Sequence, residues 1–169
     1  LGMIGLAREL GVLTRTNVTE HEISSARVGI SEELPITISA KDSCPRYLGR
    51  VIKNINVNSV SPYWLQEKLR RSGLRSVDPI VDVTNFVLIE LGQPMHAFDF
   101  NELIGGIDVR MARDGEKLTL LDGKEIVLNP EVLVIADHEK PVAMAGIMGG
   151  LKTAVTDSTT DVYLECAYF

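Results

Sequence analysis

The sequence predicts an α+β domain built mainly on antiparallel sheet. Segments with strand character outnumber helical ones, short turn sequences separate most neighbouring strand segments as in hairpins, and the helical segments carry recognisable end signals.

The elements follow in chain order. "LGMIGLARELGVLTRTN" (1–17) reads as a short helix, and residues 14–33, polar and weakly periodic, as a linker to the domain body. The organisation expected is thus 1–33 as helix and linker and 34–169 as the functional domain. "LPITISA" (34–40) alternates like a strand, and "RYLGRVIKNINV" (46–57) is rich in β-branched residues and reads as a second strand. "SPYWLQEKLRRSG" is helical: Ser61 can cap it, Pro62 suits the first turn and Gly73 can stop it. Leu65 and Leu69 share one face, and Lys68, Arg70 and Arg71 lie near the end where the helix dipole favours cations.

"DPIVDVTNFVLIELG" carries conflicting signals. Its β-branched content favours strand, whereas its length, Pro79 near the start and Gly92 at the end favour helix. The reading adopted is helix, with Val83, Phe86, Val87 and Glu90 or Leu91 recurring at helical spacing. A helix apolar on most sides is expected to be mostly buried, with Asp82 and Asn85 one turn apart. Sheet follows: "VRMAR" (109–113) as a strand, "LTLLDGKEIVL" (118–128) as a hairpin with Asp122-Gly123 as its two-residue turn, and "VLVIAD" (132–137) and "VAMAGIMGG" (142–150) around a turn at His138-Glu139-Lys140. "VYLECA" (162–167) is a late strand.

Composition narrows the function classes. The chain has 169 residues, 45% hydrophobic and 24% charged, which suits one soluble domain. It holds no run of ~18 apolar residues to span a membrane, and its start lacks the pattern of a secretory signal. Cys44 and Cys166, distant and in no paired motif, suggest free thiols in a reducing, cytoplasmic setting. The net charge of −6 argues against an autonomous nucleic-acid binder, so any nucleic acid met here is met over a small part. His21, His96 and His138 stand at no metal-ligand spacing, and no metal is expected.

Three places could carry chemistry. In "GQPMHAFD" (92–99), Gly92 stops the helix and Gln93-Pro94 fixes the exit direction, which presents His96 on a short rigid connector at a buried helix end. His96 is then either a neutral ring plugging the helix end or an acid–base group near working pH. In "AMAGIMGG", Ala145 and Gly146 allow close approach of a ligand to the backbone, or mark a bulge or bend. No nucleotide-phosphate motif accompanies them. Glu165 interrupts an apolar strand and shares a face with Tyr163 and Ala167. If the Leu164 face is core, Glu165 is solvent-facing; if it is buried, it needs partners. No Ser-His-Asp order is legible, and nothing marks Cys166 as a nucleophile.

Joined, "CPRYLGRVI", "LRRSGLRSVDPIVDVTNFVLIELGQPMHAFD", "LLDGKE", "VLVIAD", "AMAGIMGG" and "LECAYF" closely resemble, in order and spacing, the editing domain of the bacterial phenylalanyl-tRNA synthetase beta subunit over roughly residues 34–169. The resemblance implies a three-layer α+β domain that hydrolyses tyrosine wrongly attached to the phenylalanine tRNA. It matches Glu165 to the position that reads the tyrosine phenol and His96 to the ester end. Arg75 corresponds to a basic residue meeting the terminal adenosine, Thr84 and Asn85 to polar residues near the ester, and Pro94, Ala145 and Gly146 to pocket walls. It implies as partners the tRNA acceptor end, tyrosine, the alpha subunit and the remaining beta-subunit domains of an alpha2-beta2 heterotetramer. Cofactors are expected to be none in this domain, with ATP and magnesium serving the whole synthetase. The family domain continues past Phe169, where a further pocket threonine stands, so the resemblance implies a piece of a larger subunit.

The physics suits such a task. A pocket built for phenylalanine rejects an isostere with one added hydroxyl by only ~10²-fold. A second site that demands the hydroxyl does better, because phenylalanine leaves its polar group unpaired at a cost of ~1–3 kcal/mol, more for a charge. The expected mechanism is metal-free ester hydrolysis, with His96 orienting the water or taking its proton. The alternative is a non-catalytic module that positions the acceptor end.

Overall fold

The computed structural model describes residues 2–19 and 22–169; Glu20 and His21, within the predicted linker, lie outside the described residues. The chain divides into two units, Leu1–Glu32 with Val60–Met95, and Glu33–Ser59 with His96–Phe169.

The first unit is helical: α1 (Met3–Thr14), α2 (Tyr63–Arg71) and α3 (Pro79–Leu91). α2 begins one residue later than predicted, because the Pro62 carbonyl accepts the first helical bonds, from Leu65 N (2.9 Å) and Gln66 N (3.1 Å). Pro62 is therefore the N-cap and Ser61 supplies no capping bond. Gly73 ends the helix as expected: at φ 82° its N–H reaches Arg70 O while Leu74 N reaches Leu69 O, the paired closure of a Schellman motif.

The strand signal in 78–92 loses to its end signals. The Asp78 side chain accepts from Ile80 N (2.8 Å) and Val81 N (2.9 Å), Pro79 follows in the first turn, and Gly92 closes α3 at φ 75°. The expected burial of α3 is not found. Val83, Leu88 and Leu91 are 48%, 37% and 40% exposed, and Asp82 is the buried residue of the helix. Within its unit α3 meets α1 and α2, and two helices cannot cover an apolar surface that runs most of the way round. Asp82 is buried because its carboxylate ties the preceding loop to the first turn, accepting from Ser76 Oγ (2.5 Å) and Val77 N (2.9 Å).

The second unit holds the sheets. β2 (Arg46–Ile52), β10 (Val162–Tyr168) and β3 (His96–Asp99) form a three-stranded antiparallel sheet in that order. β1 (Ile36–Ile38), β4 (Ile107–Met111), β7 (Leu133–Ala136), β8 (Pro141–Met144) and β9 (Met148–Gly149) form a five-stranded sheet in which the β1–β4 pair is parallel and the others antiparallel. The antiparallel-dominated α+β class is thus as expected. β2 stops short of residue 57 because Asn54 turns left-handed, φ 57°, and Asn54 N and Ile55 N bond to Asp161 Oδ1 and Thr160 O instead.

β5 (Lys117–Thr119) and β6 (Glu125–Val127) make the predicted hairpin, with a different turn. Gly123 N bonds to Leu120 O and Leu120 N to Lys124 O, enclosing three residues. Only Gly123, at φ 84°, is left-handed; Asp122 is not. This is the three-residue loop closed by a glycine bulge, not the two-residue turn with two positive φ values. The turn at His138–Lys140 forms as expected, with Asp137 Oδ1 accepting from Glu139 N and Lys140 N.

One core, including Tyr47, Val51, Phe98, Val109, Ile135, Val142 and Tyr163, draws residues from both large sheets. A second, including Leu118, Leu120, Leu128, Val134 and Ala136, joins the β5–β6 hairpin to the five-stranded sheet.

Candidate functional site

The face of β10 settles the place of Glu165. Tyr163 is 1% exposed and Glu165 6%, whereas Leu164 and Cys166 are partly exposed. The Tyr163–Glu165–Ala167 face is therefore turned into the protein, and Glu165 is not a solvent-facing carboxylate. In register, Glu165 stands opposite His96 of β3 on one side and Gly49 of β2 on the other. Gly49 leaves no side chain there, and the space a Cβ would take is occupied by the Tyr163 ring and hydroxyl.

Among the described residues no cation stands beside Glu165. Its Oε2 accepts from the Tyr47 hydroxyl at 3.3 Å, and its Oε1 makes no hydrogen bond to a described residue. Burial pushes its pKa up from 4.5 to about 7, and the Tyr47 hydrogen bond offsets a part of this. The Tyr47 and Tyr163 hydroxyls are driven well above their ordinary range, first by burial and also by the nearby Glu165 charge. Tyr163 Oη is buried beside the Tyr47 hydroxyl and makes no hydrogen bond to Glu165.

His96 opens β3 instead of ending a connector, and the helix end before it, at Leu91 and Gly92, is exposed. Backbone pairing with β10 therefore fixes the strand position that carries the ring. The ring meets Phe98 edge-on at 4.6 Å between centroids. Partial burial lowers its pKa below the usual value near 6.5, so the neutral imidazole dominates at neutral pH.

"AMAGIMGG" is a tight hairpin, not one continuous strand. Ile147 N bonds to Met144 O across a turn in which Gly146 takes φ 67°. A Cβ on Gly146 would lie 3.2 Å from the Phe169 ring, and one on Gly149 would lie 2.6 Å from His96 Nε2. The hairpin thus brings bare backbone to the His96 ring at Gly149 and to Phe169 at Gly146. Ala145 is buried in the core shared with Tyr47 and Tyr163.

The second unit therefore contains His96, Glu165, Ala145 and Gly146. The helical unit holds the other predicted residues. Arg75 is exposed before α3, Thr84 Oγ1 bonds back to Val81 O at 3.0 Å, Asn85 is partly buried on α3, and Pro94 is exposed after Gly92. That unit also has a cavity of about 770 Å³ lined by residues including Met3, Ile4, Trp64, Lys68, Phe86 and Leu91; none of the predicted site residues lines it.

Sequence reasoning missed Tyr47, Tyr163, Gly49 and Gly149. The signal available was alternation: Tyr47 and Gly49 share one strand face, and a carboxylate buried in a strand calls for hydroxyl donors nearby.

The second unit thus holds a buried carboxyl with a free acceptor and, on the neighbouring strand, a neutral imidazole, within an antiparallel-dominated α+β frame. The family model described as the B3/4 domain matches residues 43–169, and the chain belongs to that family. It is 58% identical over 165 residues to the phenylalanine–tRNA ligase beta subunit of Vibrio parahaemolyticus serotype O3:K6, covering 98% of this chain and 21% of that one. To the same subunit of Yersinia pestis it is 56% identical over 169 residues, covering 100% of this chain and 21% of that one. The chain thus spans about a fifth of the length of these curated relatives. A solved N-terminal fragment of the phenylalanyl-tRNA synthetase beta subunit from Pyrococcus horikoshii shares the fold, with TM-score 0.57 and 14% identity over 89% of this chain and 46% of that one.

Proposed function

We propose that this chain is the proofreading part of a phenylalanine–tRNA ligase beta subunit, which hydrolyses the ester of tyrosine mischarged on tRNA(Phe). The observation that carries the reading is Glu165: a carboxylate 6% exposed, unpaired by any cation, with Oε1 free of hydrogen bonds to described residues. A phenol donating to Oε1 satisfies it, whereas a phenyl ring leaves it desolvated and unpaired. The relatives named above support the setting.

In this reading water adds to the ester carbonyl and the C–O bond to the tRNA ribose breaks. The neutral His96 ring orients the water, or takes its proton and returns it to the leaving ribose oxygen. Tyrosine and uncharged tRNA are released. The aminoacyl ester is already activated, and the step runs without a metal. Arg75, Thr84, Asn85 and Pro94 keep the roles given by the family resemblance. The net charge of −6 fits contact with the acceptor end alone. The remaining beta-subunit domains, the alpha subunit, and ATP with magnesium belong to the phenylalanine-attaching reaction of the complete cytoplasmic enzyme.

The test is deacylation of preformed tyrosyl-tRNA(Phe) by the complete ligase with and without His96→Ala. Slower hydrolysis by ~10²-fold or more, with phenylalanine activation unchanged, supports the reading. Unchanged hydrolysis removes His96 from the mechanism, and absence of hydrolysis in the unaltered ligase leaves a non-catalytic acceptor-end module.

A further inference from the structure

We infer that Tyr47 is the positioning residue of this site: by holding Glu165 Oε2 it leaves Oε1 as the one acceptor offered to a substrate hydroxyl. The inference rests on the proposed reading of Glu165 and goes beyond it, because it assigns the orientation of the carboxylate to a residue on a different strand.

Four observations carry it. Tyr47 is 5% exposed, so its hydroxyl cannot exchange freely between Glu165 and water. Its hydroxyl lies 3.3 Å from Oε2, and the geometry gives Glu165 no other hydrogen-bond partner among the described residues. Tyr47 faces Ala167 across the β2–β10 ladder, two residues from Glu165 on the same face of β10, so its hydroxyl reaches Glu165 diagonally. Gly49, directly opposite Glu165, contributes no side chain that could hold the carboxylate instead. Without the Tyr47 hydroxyl the carboxylate plane is free to turn, and neither oxygen is committed to the substrate.

Tyr163 supplies an internal control. It is buried in the same cluster, but its hydroxyl makes no hydrogen bond to Glu165; its polar neighbour is the Tyr47 hydroxyl. Tyr163→Phe and Tyr47→Phe each remove one buried hydroxyl and keep the ring; only the second removes a contact to Glu165.

The experiment measures deacylation of preformed tyrosyl- and phenylalanyl-tRNA(Phe) across pH by the complete ligase containing this chain, unaltered and with Tyr47→Phe, Tyr163→Phe or Glu165→Ala. The expected result for Tyr47→Phe is a tyrosyl-to-phenylalanyl rate ratio lowered ~10-fold, the size of one hydrogen bond to a charged group. The pH at which the ratio reaches half its plateau should also rise, because the lost bond favoured the ionised carboxylate. Tyr163→Phe, whose hydroxyl meets Tyr47 and makes no hydrogen bond to Glu165, should change both by less than Tyr47→Phe does. If Tyr47→Phe keeps both ratio and midpoint while Glu165→Ala loses the ratio, the inference is wrong and the functional reading stands. Equal losses in both tyrosine variants mean that packing is responsible, which also overturns it. An unaltered ligase with no tyrosyl preference overturns both.

Discussion

Glu165 and His96 are direct partners across the β10–β3 ladder, yet their side chains reach different neighbours. Glu165 is bonded to Tyr47 on β2, whereas the His96 ring lies over Gly149 on β9. Side chains directly opposite in an antiparallel pair start about 5 Å apart at Cβ. One row of the sheet thus presents a carboxyl and an imidazole with different neighbours, the arrangement from which the proposed reading of one end of a substrate and cleavage of the other starts.

The buried carboxyl makes stability fall as pH rises. Glu165 has a folded-state pKa of about 7 against an ordinary 4.5, so its protonated form is favoured in the fold. Its contribution is complete below about pH 4.5 and is lost as pH rises through about 7, a total of roughly 3 kcal/mol. His96 runs the other way, its lowered pKa favouring the fold above its ordinary value. That effect is common to both proteins when wild type is compared with Glu165→Gln. Chemical denaturation should show wild type losing stability relative to Glu165→Gln between about pH 4.5 and pH 8. A difference that is flat with pH contradicts the burial of an ionisable Glu165.

Gly149 is predicted to be required by His96. A Cβ there would lie 2.6 Å from Nε2 and 2.7 Å from Cε1, too close for the ring to stay. Gly149→Ala in the complete ligase should therefore slow tyrosyl-tRNA deacylation by ~10-fold or more, as misplacing a reacting group does, while phenylalanine activation is retained. Unaltered deacylation means that the ring position over Gly149 does not matter to the reaction.

Gly123→Val tests the hairpin turn. The residue takes φ 84° and has open space where a Cβ would go, so the substitution brings backbone strain without a clash. The expected loss is about 1–3 kcal/mol. Asp122→Val, at a residue without positive φ, should lose less, although it also removes the Asp122 Oδ1 contact to Lys124 N. Equal losses in thermal melts would return the turn to the two-residue form.

What the sequence shows and what it hides divide along physical lines. End signals are local chemistry, so Pro79, Gly73 and Gly92 place the helix ends correctly even where β-branched residues argue for strand, and the structure adds the Asp78 cap. The one-residue error at Ser61 and the two-residue turn at Asp122-Gly123 arise because several geometries accept the same residues, and the backbone bonds choose among them. Burial is not local. The apolar character of α3 predicts a core helix, but its neighbours leave much of it uncovered. The alternation around Glu165 names its face-mates correctly, but cannot say which face is inside; that depends on the second sheet. His96 and Glu165 are separated by 69 positions in the sequence (165 − 96), and only the β3–β10 pairing brings them side by side.

The central claim is that Glu165 reads a hydroxyl, and the most direct measurement is the deacylation of preformed tyrosyl- and phenylalanyl-tRNA(Phe) by the ligase with Glu165, Glu165→Gln and Glu165→Ala. Removing the carboxylate takes away the acceptor for the phenol and the penalty on the phenyl ring together. The tyrosyl-to-phenylalanyl rate ratio should therefore fall most in Glu165→Ala, by ~10-fold or more, with Glu165→Gln between. If both substrates slow by the same factor in Glu165→Ala, the carboxylate does not read the hydroxyl.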